Sequence, residues 1–571
     1  MEHRPLSVMR FFERGLTSMA FWWCVCLLWA AILAWVGRDA MNPDGLSYLD
    51  MATGLINQGP AQLINGYWSP GYPALIALAA LLFQPYPRQE FPLVHAANFV
   101  AFALALWAFS FLIRSWIEAD AVSEVNENER ARYVIPFAFG IFLWFMTEFI
   151  GLYVVTPDLL VSAIVFAAAG IVFRLSRSGS GNFRPYVALG LTLGLGYYVK
   201  AVLFMSGMAL LAALLLFRPR NLCRKGLLVS ALVFLAVSAP LVTLISVHVG
   251  RVSGGETGKL SYLWFVNHRE LLPTGAWTGD FGKLYPVLTH PPRILAEKPL
   301  TIEFATPLPG TFPLWYEASY WWSGAGVRFD WHQQWRTIQG TMRAYDEMGL
   351  EMSPLILGSL LLCILTAFRR VSGAPSRGWL WQIAWPLSLG AIYGVVLVVD
   401  RYLAPFLVLF WLAIYSHLMF RVSVLARATI LVGVLAMLLV PPAVKLAAVA
   451  NAAVQNRGRE PEYRTIARGL TEQGIHGGDR LAVVGYAFDA YYARFARLHI
   501  TGNVEDAGEF WRLDAADLKT LEDRLAASGV KALVARNRPA GSWPQHWRDL
   551  SGTESARFSV LLLDEALANV H

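Results

Sequence analysis

Charge is scarce in this chain of 571 residues: Lys, Arg, Asp and Glu make up only 15% of it, against 56% hydrophobic residues and a mean hydropathy of +0.45. An ordinary soluble domain carries about 25% charged residues, so that class is excluded. Cysteine is scarcer still. Cys24, Cys26, Cys223 and Cys363 lie in apolar runs or beside a basic loop, so neither a disulfide framework nor a cysteine metal site is expected. The first apolar run lacks a small-residue cleavage site and reads as a retained anchor. No convincing internal repeat divides the chain. The net charge of +7 does not imply nucleic acid, because the cations cluster in short loops between apolar runs.

What the chain has is apolar length. Runs occur near 16–37, 91–113, 133–150, 153–173, 185–199, 201–217, 226–247, 353–368, 379–399, 402–420 and 428–449. Most match the ~17–25 residues that cross a bilayer, so the expected fold is a polytopic α-helical membrane protein. A further patch at 72–84 is short and starts with prolines, which suits an interfacial or re-entrant piece. Leaving it out of the count puts the basic loops around Arg130, Arg177, Arg224, Arg370 and Arg421 on the N-terminal side of the membrane. The positive-inside rule then predicts eleven spans, a cytoplasmic N-terminus and an extracytoplasmic C-terminus. Residues 1–450 form the membrane domain, with outer-face loops at 38–90 and 249–352. Residues 451–571 form a small soluble α/β domain, with strands expected at 480–485, 530–535 and 558–563 and a helix near 515–527. The turn after its first strand lacks a dinucleotide fingerprint, and a docking or capping role is expected.

The stretch 38–73 organises the rest. It carries Asp39, Asp44 and Asp50, and Pro43-Asp44 is a helix-start signal. Tyr48, Met51, Ala52 and Leu55 recur at helical spacing, predicting a short amphipathic helix on the membrane surface. Tyr67 and Trp68 follow as an aromatic pair suited to the headgroup level. A carboxylate at Asp44 serves equally as a helix cap or as a reactive group. The 249–352 loop is rich in aromatics, among them Trp315, Tyr316 and Trp321 beside Glu317, and a loop of that length is uncommon unless it has a task.

Ionisable residues beside the hydrocarbon are costly and mark function. Asp158, Lys200 and Arg401, the last followed by Tyr402, fall at the same membrane face as Asp44 in this topology, with Glu148 at the same boundary. Two acids and two cations at one face suit a reaction in which a carboxylate takes a proton from an attacking hydroxyl and cations stabilise a leaving phosphate. The same charges would also line the path of a transporter or lipid flippase, and an assembly scaffold is a third reading.

In these motifs the chain resembles the GT-C superfamily of membrane glycosyltransferases, in its protein O-mannosyltransferase and ArnT-like branch. Pro43-Asp44-Gly45-Leu46-Ser47-Tyr48 is similar to the family's opening motif, with Gly45 where a second acid stands. Thr156-Pro157-Asp158 looks like the second luminal acid, and Asp400-Arg401-Tyr402 like an acid-Arg-Tyr element near the donor phosphate. The resemblance covers roughly 16–420 and implies inverting, single-displacement transfer from a polyprenyl-phosphate sugar to a glycan, lipid or protein hydroxyl. It implies Asp44 as general base and Asp158 as a second catalytic-site carboxylate that orients the acceptor or holds the donor sugar. Lys200, Arg401 and Tyr402 would bind the donor phosphate. Tyr48, Asp50, Tyr67, Trp68, Glu148, Trp315, Tyr316, Glu317 and Trp321 are candidate substrate contacts. No cofactor is required, although the carboxylates could host a divalent metal.

Overall fold

The computed structural model describes residues 17–119, 126–177, 182–219, 221–267, 287–288, 290–304, 310–312, 322–323, 327–367, 377–455, 458, 460–539, 546–553 and 556–563. The chain is mostly helical. In order come α1 (Met19–Val36), α2 (Pro43–Gln58), α3 (Gly71–Phe83), α4 (Glu90–Ala119), α5 (Glu127–Trp144, prolonged by a wider turn Phe145–Ile150), α6 (Asp158–Arg177), α7 (Arg184–Val199), α8 (Val202–Leu216), α9 (Arg224–His248) and α10 (Thr257–Phe265). Then follow α11 (Trp331–Glu351), α12 (Ser353–Ala367), α13 (Trp381–Gly394), α14 (Asp400–Met419) and α15 (Val424–Gln455).

Seven of these, α1, α4, α5, α6, α9, α14 and α15, are long and apolar enough to cross a membrane; α11 and α12 form a pair bent by 73°. The other four expected spans, α7, α8, α12 and α13, are shorter helices. At 1.5 Å per residue, α8 reaches about 22 Å, less than the ~30 Å hydrocarbon core. The expected run at 153–173 begins as a helix only at Asp158, since Pro157 suits a first helical turn and the preceding residues are irregular. The 72–84 patch is the 13-residue helix α3, like α8 shorter than the hydrocarbon core is thick.

Helix α5 forms the centre of the bundle: 83% of its most apolar window is buried, against 22% for α1 and α15 at the margin. Phe142 of α5 stacks on Phe109 of α4 at 4.7 Å between ring centroids, and Phe166 of α6 meets Phe109 edge-on at 5.1 Å. Such pairs add about 0.5–1.5 kcal/mol each beyond their area. At one end of the bundle the interhelical connections gather their charges: Arg427 donates to Glu129 at 2.7 Å, and Arg177 pairs with Glu118.

Helix α11 turns its polar side inward. Gln334, Thr337 and Thr341 are buried and donate to the carbonyls of Val395, Phe265 and Gly394, while Trp331, Trp335 and Met342 are exposed. That inversion suits a helix whose outer face meets lipid rather than water.

The extramembrane unit is a seven-stranded sheet. Its strands are β1 (Arg293–Glu297), β2 (Leu300–Glu303), β3 (Arg480–Val484), β4 (His499–Val504), β5 (Ala532–Arg536), β6 (Arg548–Thr553) and β7 (Ala556–Leu562), in the order β1-β2-β4-β3-β5-β7-β6. The three central strands are parallel and the flanking pairs antiparallel. Helices α16 (Glu462–Glu472), α17 (Tyr491–Phe495) and α18 (Ala515–Ala527) pack on it. The expected C-terminal strands and helix are present. The sheet also takes β1 and β2 from the 249–352 loop, which sequence alone places with the membrane domain.

This unit sits directly on the segment that follows α1. Arg494 donates to Asp50 at 2.8 Å and to Glu90 at 3.1 Å, Arg497 reaches Glu90 at 2.6 Å, and Arg464 reaches Asp39 at 2.6 Å. Burial works against the Arg494 charge, yet Glu90 and Asp50 outweigh it and hold its pKa above the usual range.

Candidate active site

Four segments far apart in sequence meet at one face of the bundle. Asp44 is the second residue of α2, after Asn42 in the N-cap position. Asp158 is the first residue of α6, where a carboxylate is favoured by the helix dipole. Lys200 has extended backbone between α7 and α8, and this break frees its side chain from both helices. Arg401 stands in the first turn of α14.

Their side chains form a continuous charge network. Lys200 Nζ donates to Asp158 Oδ1 at 2.6 Å, and Thr156 Oγ1 donates to Asp158 Oδ2 at 2.7 Å. Arg401 lies between the acids, with Nη2 3.5 Å from Asp44 Oδ2 and Nε 3.6 Å from Asp158 Oδ2. Arg401 Nε is buried with no hydrogen-bond partner. The Asp158 side chain is only 1% exposed, whereas Asp44, Arg401 and Lys200 keep 26%, 21% and 22%. Asp44 is therefore the more open of the two carboxylates, and Asp158 the sealed one, in contact with both cations. The Tyr402 ring lies 3.7 Å from Lys200 Nζ and packs on Tyr393, with centroids 5.3 Å apart. A cation over an aromatic face at that range is attracted by about 0.5–2 kcal/mol.

Tyr48 lies one helical turn beyond Asp44, on the same side of α2, and is buried against Trp68 and Tyr72 with centroids 5.0 Å away in each case. Its phenol is pushed up by burial first and then by the Asp44 and Asp158 carboxylates, so it stays protonated at neutral pH. Tyr67 is half-buried and Trp68 buried, their backbone amides held by Asn65 Oδ1 at 2.8 and 2.9 Å. The pair expected at the headgroup level is instead turned into the protein as a wall of the site. Burial comes first among the causes that push the Tyr491 phenol of α17 up to about 12, and the last of them is the Asp44 carboxylate. The extramembrane unit thus lies within electrostatic reach of the site.

One expected contact belongs elsewhere. Asp50 accepts from Arg494, from the Thr311 amide at 2.8 Å and from the Thr311 hydroxyl at 2.9 Å. Six residues at 3.6 per turn put it on a different side of α2 from Asp44, so its carboxylate is spent on docking the sheet. Glu148 pairs with Lys445 at 3.6 Å. Trp315, Tyr316, Glu317 and Trp321 lie outside the described residues. Among the described residues, no group of three or more His, Cys, Asp or Glu side chains is placed to hold a metal.

Sequence reasoning missed Tyr393, Asn42, His95 and Asn98. Asn42 pairs both amide atoms with the backbone of Val155, at 2.8 and 3.3 Å. The available signal for the other pair was two polar residues, three apart, inside an otherwise apolar run.

No protein-family model matches the chain, and no curated protein sequence does. Among solved structures, the chain is similar to apo ArnT from Cupriavidus metallidurans, with 12% identity, 96% of this chain and 99% of that one covered, and a TM-score of 0.41. ArnT bound to undecaprenyl phosphate gives 13% identity, coverage of 96% and 98%, and a TM-score of 0.38. The archaeal oligosaccharyltransferase AglB from Archaeoglobus fulgidus, in complex with an inhibitory peptide and a dolichol-phosphate, gives 14% identity, coverage of 90% and 69%, and a TM-score of 0.47. These structural neighbours, ArnT and AglB, are GT-C superfamily membrane glycosyltransferases, the superfamily that the motifs around Asp44, Asp158 and Arg401 resemble.

Proposed function

We propose that this chain is a GT-C-type glycosyltransferase. It moves a sugar from a polyprenyl-phosphate donor to an acceptor hydroxyl at the outer face of a bacterial inner membrane. Eleven spans, an N-terminus inside and a C-terminus outside complete the reading. The observation that carries it is the arrangement of Arg401 between a more open carboxylate, Asp44, and a sealed one, Asp158, with Lys200 alongside.

Asp44 takes the proton of the acceptor hydroxyl as its oxygen attacks the anomeric carbon. The bond from that carbon to the phosphate oxygen breaks, and polyprenyl phosphate departs carrying the bonding pair. Arg401 and Lys200 meet the charge that develops there, and a fixed cation pair needs no reorganisation at that moment. Lys200 keeps one proton on Asp158 and has two more to give. Arriving phosphate competes with Asp44 for Arg401, which releases the base as the donor seats. Inversion follows from a single displacement.

Binding of undecaprenyl phosphate to the purified full-length protein in detergent and lipid tests the phosphate site. Lys200→Ala and Arg401→Ala should each weaken it about 10–100-fold, the loss of a charge-assisted contact. Affinity unchanged in both variants would contradict the assignment.

A further inference from the structure

Helix α4 presents two buried polar side chains one turn apart, His95 and Asn98, at 1% and 0% exposure. His95 reaches the segments that lead into both acids, and Asn98 ties the one before Asp158 to Tyr72 of α3. His95 Nδ1 lies 2.9 Å from the carbonyl oxygen of Leu152, six residues before Asp158. His95 Nε2 lies 2.8 Å from that of Ala40, four residues before Asp44. Each ring nitrogen thus faces a backbone carbonyl from a different segment. Asn98 Nδ2 donates to Leu152 O at 3.2 Å and to Val154 O at 3.1 Å, and its own oxygen accepts from the Tyr72 hydroxyl at 2.5 Å.

The same two segments are packed without slack. A Cβ on Gly37 would lie 2.9 Å from Tyr153 Cβ, and one on Gly45 2.9 Å from Val155 Cβ. A histidine merely satisfied in an apolar core needs one acceptor. Here it has two, from stretches 112 residues apart in the sequence.

We infer that His95 is a positioning residue that clamps the 37–43 segment to the 151–157 segment and so sets the separation of Asp44 and Asp158, while Asn98 steadies the 151–157 segment against α3 and α4. Arg401 reaches both acids at once only because that separation matches its guanidinium, with contacts at 3.5 and 3.6 Å. A shift of about 1 Å in a reacting group can cost on the order of 100-fold in rate. The catalytic part of this inference rests on the proposed roles of the two acids; the clamp itself does not.

The test uses full-length protein in detergent and lipid, as wild type, His95→Phe, His95→Gln and Asn98→Ala. Hydrogen–deuterium exchange is followed peptide by peptide, beside turnover of a polyprenyl-phosphate sugar and binding of undecaprenyl phosphate. In His95→Phe, exchange should rise about tenfold in 37–43 and 151–157 together while the rest of α4 stays protected. His95→Gln retains two N–H groups and should restore part of the protection. Asn98→Ala should loosen 151–157 more than 37–43, which keeps the idea testable if His95→Phe does not fold. Turnover should fall about 100-fold in His95→Phe with undecaprenyl phosphate affinity changed less than about threefold. Unchanged exchange, or a rise in one segment alone in His95→Phe, overturns the clamp. Raised exchange in both segments, with a wild type that turns over no donor, upholds the clamp and removes the transferase instead.

Discussion

Gly45 stands where the resembled motif carries a second acid, and the reason is space. A Cβ there would lie 2.5 Å from Met41 Sδ and 2.9 Å from Val155 Cβ. Met41 can swing aside, but Val155 is held by Asn42. Gly45→Glu, which restores the acid, should therefore lower stability by about 1–3 kcal/mol through overpacking and shift Asp44 beside it. Thermal unfolding measures this, and a variant as stable as wild type would contradict it. A second residue predicts a pH effect in the sheet. Burial pushes the Glu505 carboxyl up from an ordinary 4.5 to about 7, and its Oε1 is buried without a hydrogen-bond partner. A raised native pKa means the native state holds its proton longer than the unfolded chain. The stabilising contribution is then full below about pH 4.5 and is lost as pH rises through 7. Glu505→Gln should gain melting temperature relative to wild type between pH 5 and pH 8. A difference that stays flat across that range would count against the buried acid.

Helix α2 is the element on which site and sheet both depend, since it carries Asp44 at its start and Asp50 on another side. Arg494, Asp50 and Glu90 are each under about a tenth exposed, and a buried pair stripped of one partner leaves an uncompensated charge. Arg494→Ala should cost about 3–5 kcal/mol, read as a lower unfolding midpoint and as easier proteolysis of the extramembrane unit. An unchanged midpoint would show the contact to be dispensable. Helices of the membrane part were legible because apolar length is a local property, and so were β3, β5, β7 and α18, whose patterns are regular. What was not legible is non-local. Asp50 looked like a site residue because its partner, Arg494, lies 444 positions away. Strands β1 and β2 were hidden in a loop because their alignment depends on β4, some two hundred residues later. Lys200 was found both as a charge and as the break between the runs 185–199 and 201–217, but its pairing with Asp158, 42 positions earlier, was not.

At the scale of the whole molecule, the bundle holds acids and cations from four segments in one network, and the sheet docks beside them on α2 and α4 through Arg494. The convergence of Asp44, Asp158, Lys200 and Arg401 was anticipated from topology, because residues at successive outer ends of spans must share a face. Their pairing was not: which acid is sealed and which is open is decided by packing around Thr156, Tyr48 and Tyr402. The central claim is that Asp44 is the base of a transferase. Its most direct test compares wild type with Asp44→Asn for release of free polyprenyl phosphate from a polyprenyl-phosphate sugar and for binding of that donor. The account predicts that Asp44→Asn binds the donor and loses turnover by about 10²–10⁴-fold, the usual share of a general base. Equal turnover in the two proteins would contradict it.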